Sequence, residues 1–264
     1  MHQQDIQKLT ETITKAVLAE IARGAGTPAH TADAPATAPE IARMQSSTPA
    51  RIAVGRAGAR LRTESYLQLR ADHAAARDAV LQDVDGDFLA RLGLETVLTR
   101  CADKDEFLTR PDLGRVFPAE SLAQLKAINP EPCDVLVYLA DGLSSRAAEA
   151  NGETILPLLL EGLRGQGLKV GQPFFVAYGR VATMEQVAQT VGAKVVCVLL
   201  GERPGLGSAE SMSAYLAWNP RPGMPESERT VVSNIYAGGI NAAEAGAYLT
   251  DVLARVYREQ KSGV

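Results

Sequence analysis

The residues best equipped for chemistry lie in Gly201-Glu202-Arg203-Pro204-Gly205-Leu206-Gly207. Three glycines within seven residues let the backbone take positive φ and approach a ligand closely, while Glu202 and Arg203 add an acceptor and a forked donor. Such a segment suits a binding surface, although an ordinary tight connection would read the same from these residues alone. Just before it, Val195-Val196-Cys197-Val198-Leu199-Leu200 is an apolar, β-branched run too short for a helix. It predicts a buried strand emptying into the loop.

Other reactive residues are sparse. Cys101, Cys133 and Cys197 are widely spaced and never form a C-x-x-C pair, which predicts buried free thiols in place of a disulfide framework or a zinc site. His2 and His30 lie near the N-terminus and only His73 falls in the body of the chain, so no metal site and no catalytic residue is assigned. His73, beside Asp72, reads as a structural helix histidine. No G-x-S-x-G elbow, no G-x-G-x-x-G after the first strand and no G-x-x-x-x-G-K-[ST] phosphate loop is present.

Two further polar segments stand out. Gly55-Arg56-Ala57-Gly58-Ala59-Arg60-Leu61-Arg62 gathers three arginines ahead of a helix over 64–81 that Thr63 is expected to cap. It could receive an anion or a partner's carboxylates, or be a solvated loop. In Leu108-Thr109-Arg110-Pro111-Asp112-Leu113-Gly114-Arg115, Pro111 fixes a turn and Asp112 is expected to cap.

The elements that position these residues follow from periodicity. Ile6, Leu9, Ile13, Val17 and Ile21 make 5–23 one amphipathic helix, and Pro28, Pro35 and Pro39 make an extended linker to about Ser47. A short helix over 119–127 ends at Asn129-Pro130-Glu131-Pro132. Strands follow at 134–140, 173–178 and 194–200, separated by helices at 145–164, kinked near Gly152 and Pro157, and at 184–191. Alternation of this kind predicts parallel pairing, with further strands at 214–218 and 230–235 and a last helix opened by Asn241 and Glu244. The expected fold is α/β, a Rossmann-like, mainly parallel sheet flanked by helices, after a smaller helical part and a flexible tail. The expected boundaries are a tail and linker at 1–47, a helical subdomain at 48–130 and the sheet domain at 131–264.

In a parallel sheet the loops beginning at Asp141, Tyr178 and Gly201 share one edge, where ligands of open α/β sheets bind. The 264 residues carry a net charge of −4, which argues against nucleic acid as partner. No apolar run approaches a membrane span and no secretory signal is evident, so a soluble cytoplasmic protein is expected.

Together, Gly55-Arg56-Ala57-Gly58, Ala71-Asp72-His73, Leu108-Thr109-Arg110-Pro111-Asp112, Asp141-Gly142-Leu143-Ser144, Tyr178-Gly179-Arg180-Val181, the Gly201–Gly207 loop, Arg229-Thr230 and Ser233-Asn234-Ile235 closely resemble the small (light) subunit of ethanolamine ammonia-lyase. The resemblance runs through about residues 50–260 in uninterrupted order. It implies a Rossmann-like domain covering the dimethylbenzimidazole side of adenosylcobalamin. A large TIM-barrel subunit of the same hetero-oligomer would hold ethanolamine and the radical chemistry that yields acetaldehyde and ammonia. Cofactor-binding positions carry over to Val181, Glu202 and Val231; at the last of these the family carries cysteine, so valine offers backbone or apolar contact in place of a thiol. The chain lacks D-x-H-x-x-G, which fits base-on binding. Arms like residues 1–24 are associated in the family with delivery to a bacterial microcompartment shell; the same arm could instead govern solubility. The competing reading is a stand-alone α/β nucleotide-binding enzyme or module using the same sheet edge.

Overall fold

The computed structural model describes residues 38–48 and 50–263; the helix expected over 5–23 and most of the linker lie outside them. The chain divides into two compact units, Met1–Val54 and Gly55–Val264. In the first, Pro39–Ser46 form helix α1, with no buried residue. The sequence had placed these residues in the extended linker. Pro39 does not break this helix because it stands in its first turn, where its fixed φ is already helical and its missing N–H costs no bond.

The second unit opens with a hairpin of β1 (Arg56–Ala57) and β2 (Arg60–Leu61), followed by α2 (Thr63–Leu81) and α3 (Gly86–Leu92). Next come β3 (Thr96–Leu98), α4 (Lys104–Thr109) and α5 (Ala119–Ile128). Then β4 (Val135–Ala140), α6 (Ser145–Gly165), β5 (Phe175–Ala177), α7 (Thr183–Val191) and β6 (Val195–Gly201) alternate as expected. Strands β7 (Met212–Trp218) and β8 (Thr230–Ile235) and helix α8 (Ala242–Glu259) complete it.

Local chemistry sets several helix starts. The Ser144 hydroxyl accepts from the Ala147 amide at 3.1 Å and opens α6, and Asn241 accepts from the Glu244 amide at 3.0 Å and opens α8. Two expected caps are absent. Thr63 is the first residue of α2, whose cap position, Arg62, makes no side-chain cap bond. Asp112 is taken by Arg110, 2.8 Å away, and caps nothing. Pro157 sits inside α6, which runs from Ser145 to Gly165 as one helix.

The sheet runs in the order β3-β5-β4-β6-β7-β8. Strands β3, β5, β4 and β6 are parallel, whereas β7 and β8 each pair antiparallel with their predecessor. The sheet is therefore mixed, less parallel than expected. The physical reason is the link from Glu202 to Ser211, which carries no helix and is too short to cross the sheet, so β7 must fold back against β6. Edge strand β3 was missed because three residues carry no readable period.

Every residue of β4 and β6 is buried, as both faces are covered. One face packs Val137, Leu139 and Leu199 against Ile155 and Leu159 of α6 and Leu249 and Leu253 of α8. A Cβ on Gly162 would lie 2.6 Å from the Thr250 hydroxyl, so this glycine permits the close approach of α6 to α8. The other face packs Leu136, Tyr138 and Val198 against Leu125 of α5 and Met184 and Val187 of α7. Tyr138 stacks on Phe174 at 5.0 Å and shares a 2.8 Å hydrogen bond with Thr183. The β7–β8 end of this face stays open: Val231 is 44% exposed and Tyr215 is half-buried.

Candidate functional site at the carboxyl edge of the sheet

Four parallel strands deliver their following loops to one edge, and two of those loops are locked together through backbone. The Leu143 amide donates to the Gly201 carbonyl at 2.9 Å. Gly142 adopts φ +54°, and a Cβ there would strike the Gly201 carbonyl oxygen. A Cβ on Gly201 would strike the carbonyl oxygens of Asp141 and Ser144. The far end of the 201–210 loop is fastened to α6: Ser144 Oγ donates to the Ala209 carbonyl at 2.6 Å, and Asn151 Nδ2 donates to the Glu210 carbonyl at 2.9 Å. The loop is thus held at both ends while Arg203, Gly205, Leu206 and Gly207 remain exposed.

Beneath the edge lies a buried ion pair. Asp141, 1% exposed, accepts from Lys104 Nζ at 3.0 Å through one oxygen and from the Gly179 amide at 3.2 Å through the other. Burial pushes the Asp141 carboxyl above its ordinary value, opposed by Lys104 and the Tyr178 and Gly179 amides. Lys104 Nζ also lies 5.1 Å from the Tyr178 ring centroid. Tyr178 takes φ +57°, a left-handed conformation costly for a bulky side chain, and Thr99 Oγ1 bonds its carbonyl at 3.1 Å. Burial, reinforced by Asp83, pushes the Tyr178 phenol to about 12, so it stays protonated at neutral pH. Arg180 stacks over the Phe107 ring at 4.2 Å and donates to the Phe107 carbonyl at 2.8 Å.

Glu202 follows β6 directly and its Oε1 accepts from the Tyr215 phenol at 2.7 Å. Tyr215 in turn faces Val231 across the β7–β8 pair. The structure therefore links Glu202 and Val231 through a tyrosine that the sequence did not single out. Val181 stands just before α7 and borders the same apolar layer as Tyr215, from the helix side. Next to it, a cleft of about 420 Å³ is lined by Ala182, Glu185, Arg229 and Arg115, among others. Arg229, 6% exposed, donates to Glu185 at 2.6 Å and also bonds Glu226. Among the described residues, the buried side-chain atoms lacking a hydrogen-bond partner are Arg180 Nε, Ser213 Oγ and Arg229 Nε. Arg180 adjoins Val181, and Arg229 lies two residues before Val231.

His73 is exposed on α2, away from any core position. The three cysteines are free and buried, as expected. No group of three or more His, Cys, Asp or Glu side chains among the described residues is placed to hold a metal ion. No helix among them is long and apolar enough to cross a membrane.

The arrangement offers exposed glycine-rich backbone at Gly205 and Gly207, one half-buried carboxylate at Glu202 and an open apolar strand face at Val231. Against known proteins, the sequence model of the ethanolamine ammonia-lyase light chain matches residues 38–264. The chain belongs to this family. It is 53% identical over 232 residues to the ethanolamine ammonia-lyase small subunit of Clostridium tetani, covering 88% of this chain and 79% of the relative. It is 49% identical over 236 residues to the small subunit of Clostridium perfringens, covering 88% and 79%, and 50% identical over 224 residues to that of Fusobacterium nucleatum, covering 85% and 76%.

As a member of the ethanolamine ammonia-lyase light-chain family, this chain is one subunit of a multi-subunit ammonia-lyase. For such a subunit the sequence reading missed Lys104 and Tyr215. Lys104 follows the unrecognised edge strand, so nothing marked it as a neighbour of Asp141. Tyr215 sits within an expected strand, and only the antiparallel register of β6 with β7 reveals that it reaches Glu202.

Proposed function

We propose that this chain is the cofactor-covering subunit of an adenosylcobalamin-dependent ethanolamine ammonia-lyase, the enzyme converting ethanolamine to acetaldehyde and ammonia. Its Rossmann-like domain, residues 131–264 after a mainly helical part at 48–130 that contributes edge strand β3 to the sheet, closes the dimethylbenzimidazole side of the base-on cofactor against a large TIM-barrel subunit. The observation that carries the reading is the joining of Glu202 and Val231 through Tyr215 on an open strand face, beside the glycine-rich edge loops. Family membership supports it independently.

The residues present fit such a group. A corrin is wide and edged with amides, and this edge presents exposed backbone at Gly205 and Gly207, a carboxylate at Glu202 and apolar surface at Val181 and Val231. No histidine lies between residues 131 and 264 to compete for the cobalt, in keeping with base-on binding.

When bound, the cofactor supplies the radical chemistry. This chain's residues bind and orient: Glu202, held by Tyr215, accepts from the corrin rim; Val231 and Val181 give apolar contact; the loop locked at Gly142 and Gly201 keeps the edge rigid and excludes water. The proposed setting is the cytoplasm, with residues 1–24 either delivering the enzyme to a microcompartment shell or governing its solubility.

The test is to assemble the chain with a large subunit and measure cobalamin binding by the corrin absorbance, with and without Glu202→Ala. Binding weakened about tenfold, with a smaller loss of stability because the Tyr215 phenol also loses its acceptor, is expected. Binding unaffected by Glu202→Ala, or deamination that proceeds without this chain, would overturn the reading.

A further inference from the structure

Helix α2 is built unlike every other long helix of its unit. It runs for 19 residues and buries one of them, Ala79, whereas α6 buries ten and α8 eight. Tyr66 is 48% exposed and Leu67 60% exposed, and the hairpin before the helix has both strands exposed throughout. Most helices draw their stability from packing an apolar face; this one has the alanine content to form but fully buries only Ala79. It is anchored at its far end, where Ser145 of α6 bonds the Gln82 carbonyl.

The same stretch is the basic face of an acidic chain. Arg56, Arg60, Arg62, Arg70 and Arg77 are all exposed, against Glu64, Asp72 and Asp78, in a protein whose net charge is −4. The hairpin is shaped to present them: Gly55 at φ +78° lets the Arg62 guanidinium fold over the backbone, where a Cβ would lie 2.8 Å from Arg62 Nε. Exposed aromatic and aliphatic anchors set among arginines are what the centre of a protein–protein interface is made of.

We propose that the β1–β2 hairpin and the Tyr66–Leu67 face of α2 are the surface by which this chain docks on the large subunit, seating Tyr66 and Leu67 in apolar sockets within an acidic patch. The proposal rests on the reading of this chain as the small subunit of a hetero-oligomer, and it adds the hairpin and α2 to the Glu202–Val231 face as a second contact with the large subunit. The favoured occupant is a different, acidic protein: a second copy would oppose this basic face to itself, and like charges facing one another disfavour that pairing.

The test compares wild-type, Leu67→Asp and Arg60→Glu full-length chains with a co-expressed large subunit by analytical ultracentrifugation, together with hydrogen exchange of amides 65–78. Both substituted positions are exposed, so each isolated variant should keep the wild-type melting temperature. The expected result is association weakened at least tenfold by each substitution, and exchange of amides 65–78 slowed at least tenfold when wild-type chain assembles. Variants that associate like wild type, or exchange unchanged on assembly, overturn the inference and leave the small-subunit reading standing. A dimer of the isolated chain abolished by Leu67→Asp, with large-subunit binding intact, overturns it in favour of self-association. Failure of the wild-type chain to bind the large subunit removes the underlying reading, and the inference with it.

Discussion

The Tyr215 phenol donates to Glu202 Oε1 at 2.7 Å, while the same tyrosine lies directly across the β7–β8 pair from Val231. One side chain thus fixes the direction of the carboxylate and walls the valine. Burial, reinforced by Glu202, holds the phenol well above its ordinary pKa, so it is a permanent donor at physiological pH.

Tyr215→Phe should therefore loosen Glu202 without removing it. The expected outcome is cobalamin binding weakened several-fold, less than in Glu202→Ala, and a double variant no worse than Glu202→Ala alone. A double-mutant cycle on corrin absorbance checks this; strictly additive effects would show that the two side chains act separately.

Lys104 and Asp141 form the buried pair beneath the Tyr178 turn, 3.0 Å apart. Lys104→Met should strand a buried carboxylate and cost about 3–5 kcal/mol in urea unfolding, as the loss of one partner of a buried pair does. Lys104→Met with Asp141→Asn should recover much of that loss. If the single variant unfolds at wild-type urea concentration, the pair is not holding the loop.

How much of this was legible in the sequence depends on length and register. β6 announced itself because six consecutive apolar residues between glycine and lysine admit no other element, and Asn241 with Glu244 marked the start of α8 for the same local reason. The glycine loop was legible, but its rigidity was not: Gly142 and Gly201 lie 59 positions apart and meet only once β4 and β6 pair, with Leu136 opposite Val196. β3, at three residues, fell below what periodicity can resolve, and Lys104 was lost with it. Tyr215 was hidden for a related reason, because only the antiparallel register of β7 on β6, with Tyr215 opposite Val198, brings it within reach of Glu202. Val181 and Val231 carry no local pattern that sets them apart from other valines, and only the family resemblance marks them in the sequence.

Acid should expose a second cluster, at the opposite edge of the sheet. Asp134 Oδ1 accepts from Tyr257 at 2.7 Å and Lys194 at 2.9 Å, and its other oxygen accepts from the Lys169 amide at 3.0 Å. Burial raises the Asp134 pKa, but these bonds together outweigh it and hold the carboxyl below its ordinary value. A lowered pKa contributes stability that is present above the unfolded value and lost as pH falls through the folded one, so the loss should come below about pH 4. Asp134→Asn should be less stable than wild type at pH 7 and the gap should close toward pH 3; a gap that stays constant with pH would remove Asp134 from the acid transition.

The three thiols should be inert in the folded chain. Burial raises the pKa of Cys101, Cys133 and Cys197, and none is more than 4% exposed. Iodoacetamide at pH 8, followed by mass spectrometry, should leave all three unmodified and label all three in urea, because the thiolate is the reactive form. Fast labelling of Cys101 alone would show that the segment after β3 opens readily.

Gly201→Ala tests whether the edge must be locked to bind. A methyl there would strike the carbonyl oxygens of Asp141 and Ser144, both backbone, so no side-chain rotation relieves it. The two loops must separate, at a cost of about 1–3 kcal/mol typical of overpacking. Because Glu202 is the next residue, the displacement should carry its carboxylate away from Tyr215, and cobalamin binding should fall further than stability does. Gly207→Ala, where a Cβ meets nothing within 4 Å, is the control and should leave folding unchanged. Equal binding by the two variants would mean that the rim tolerates movement and that the β7–β8 face alone holds the cofactor.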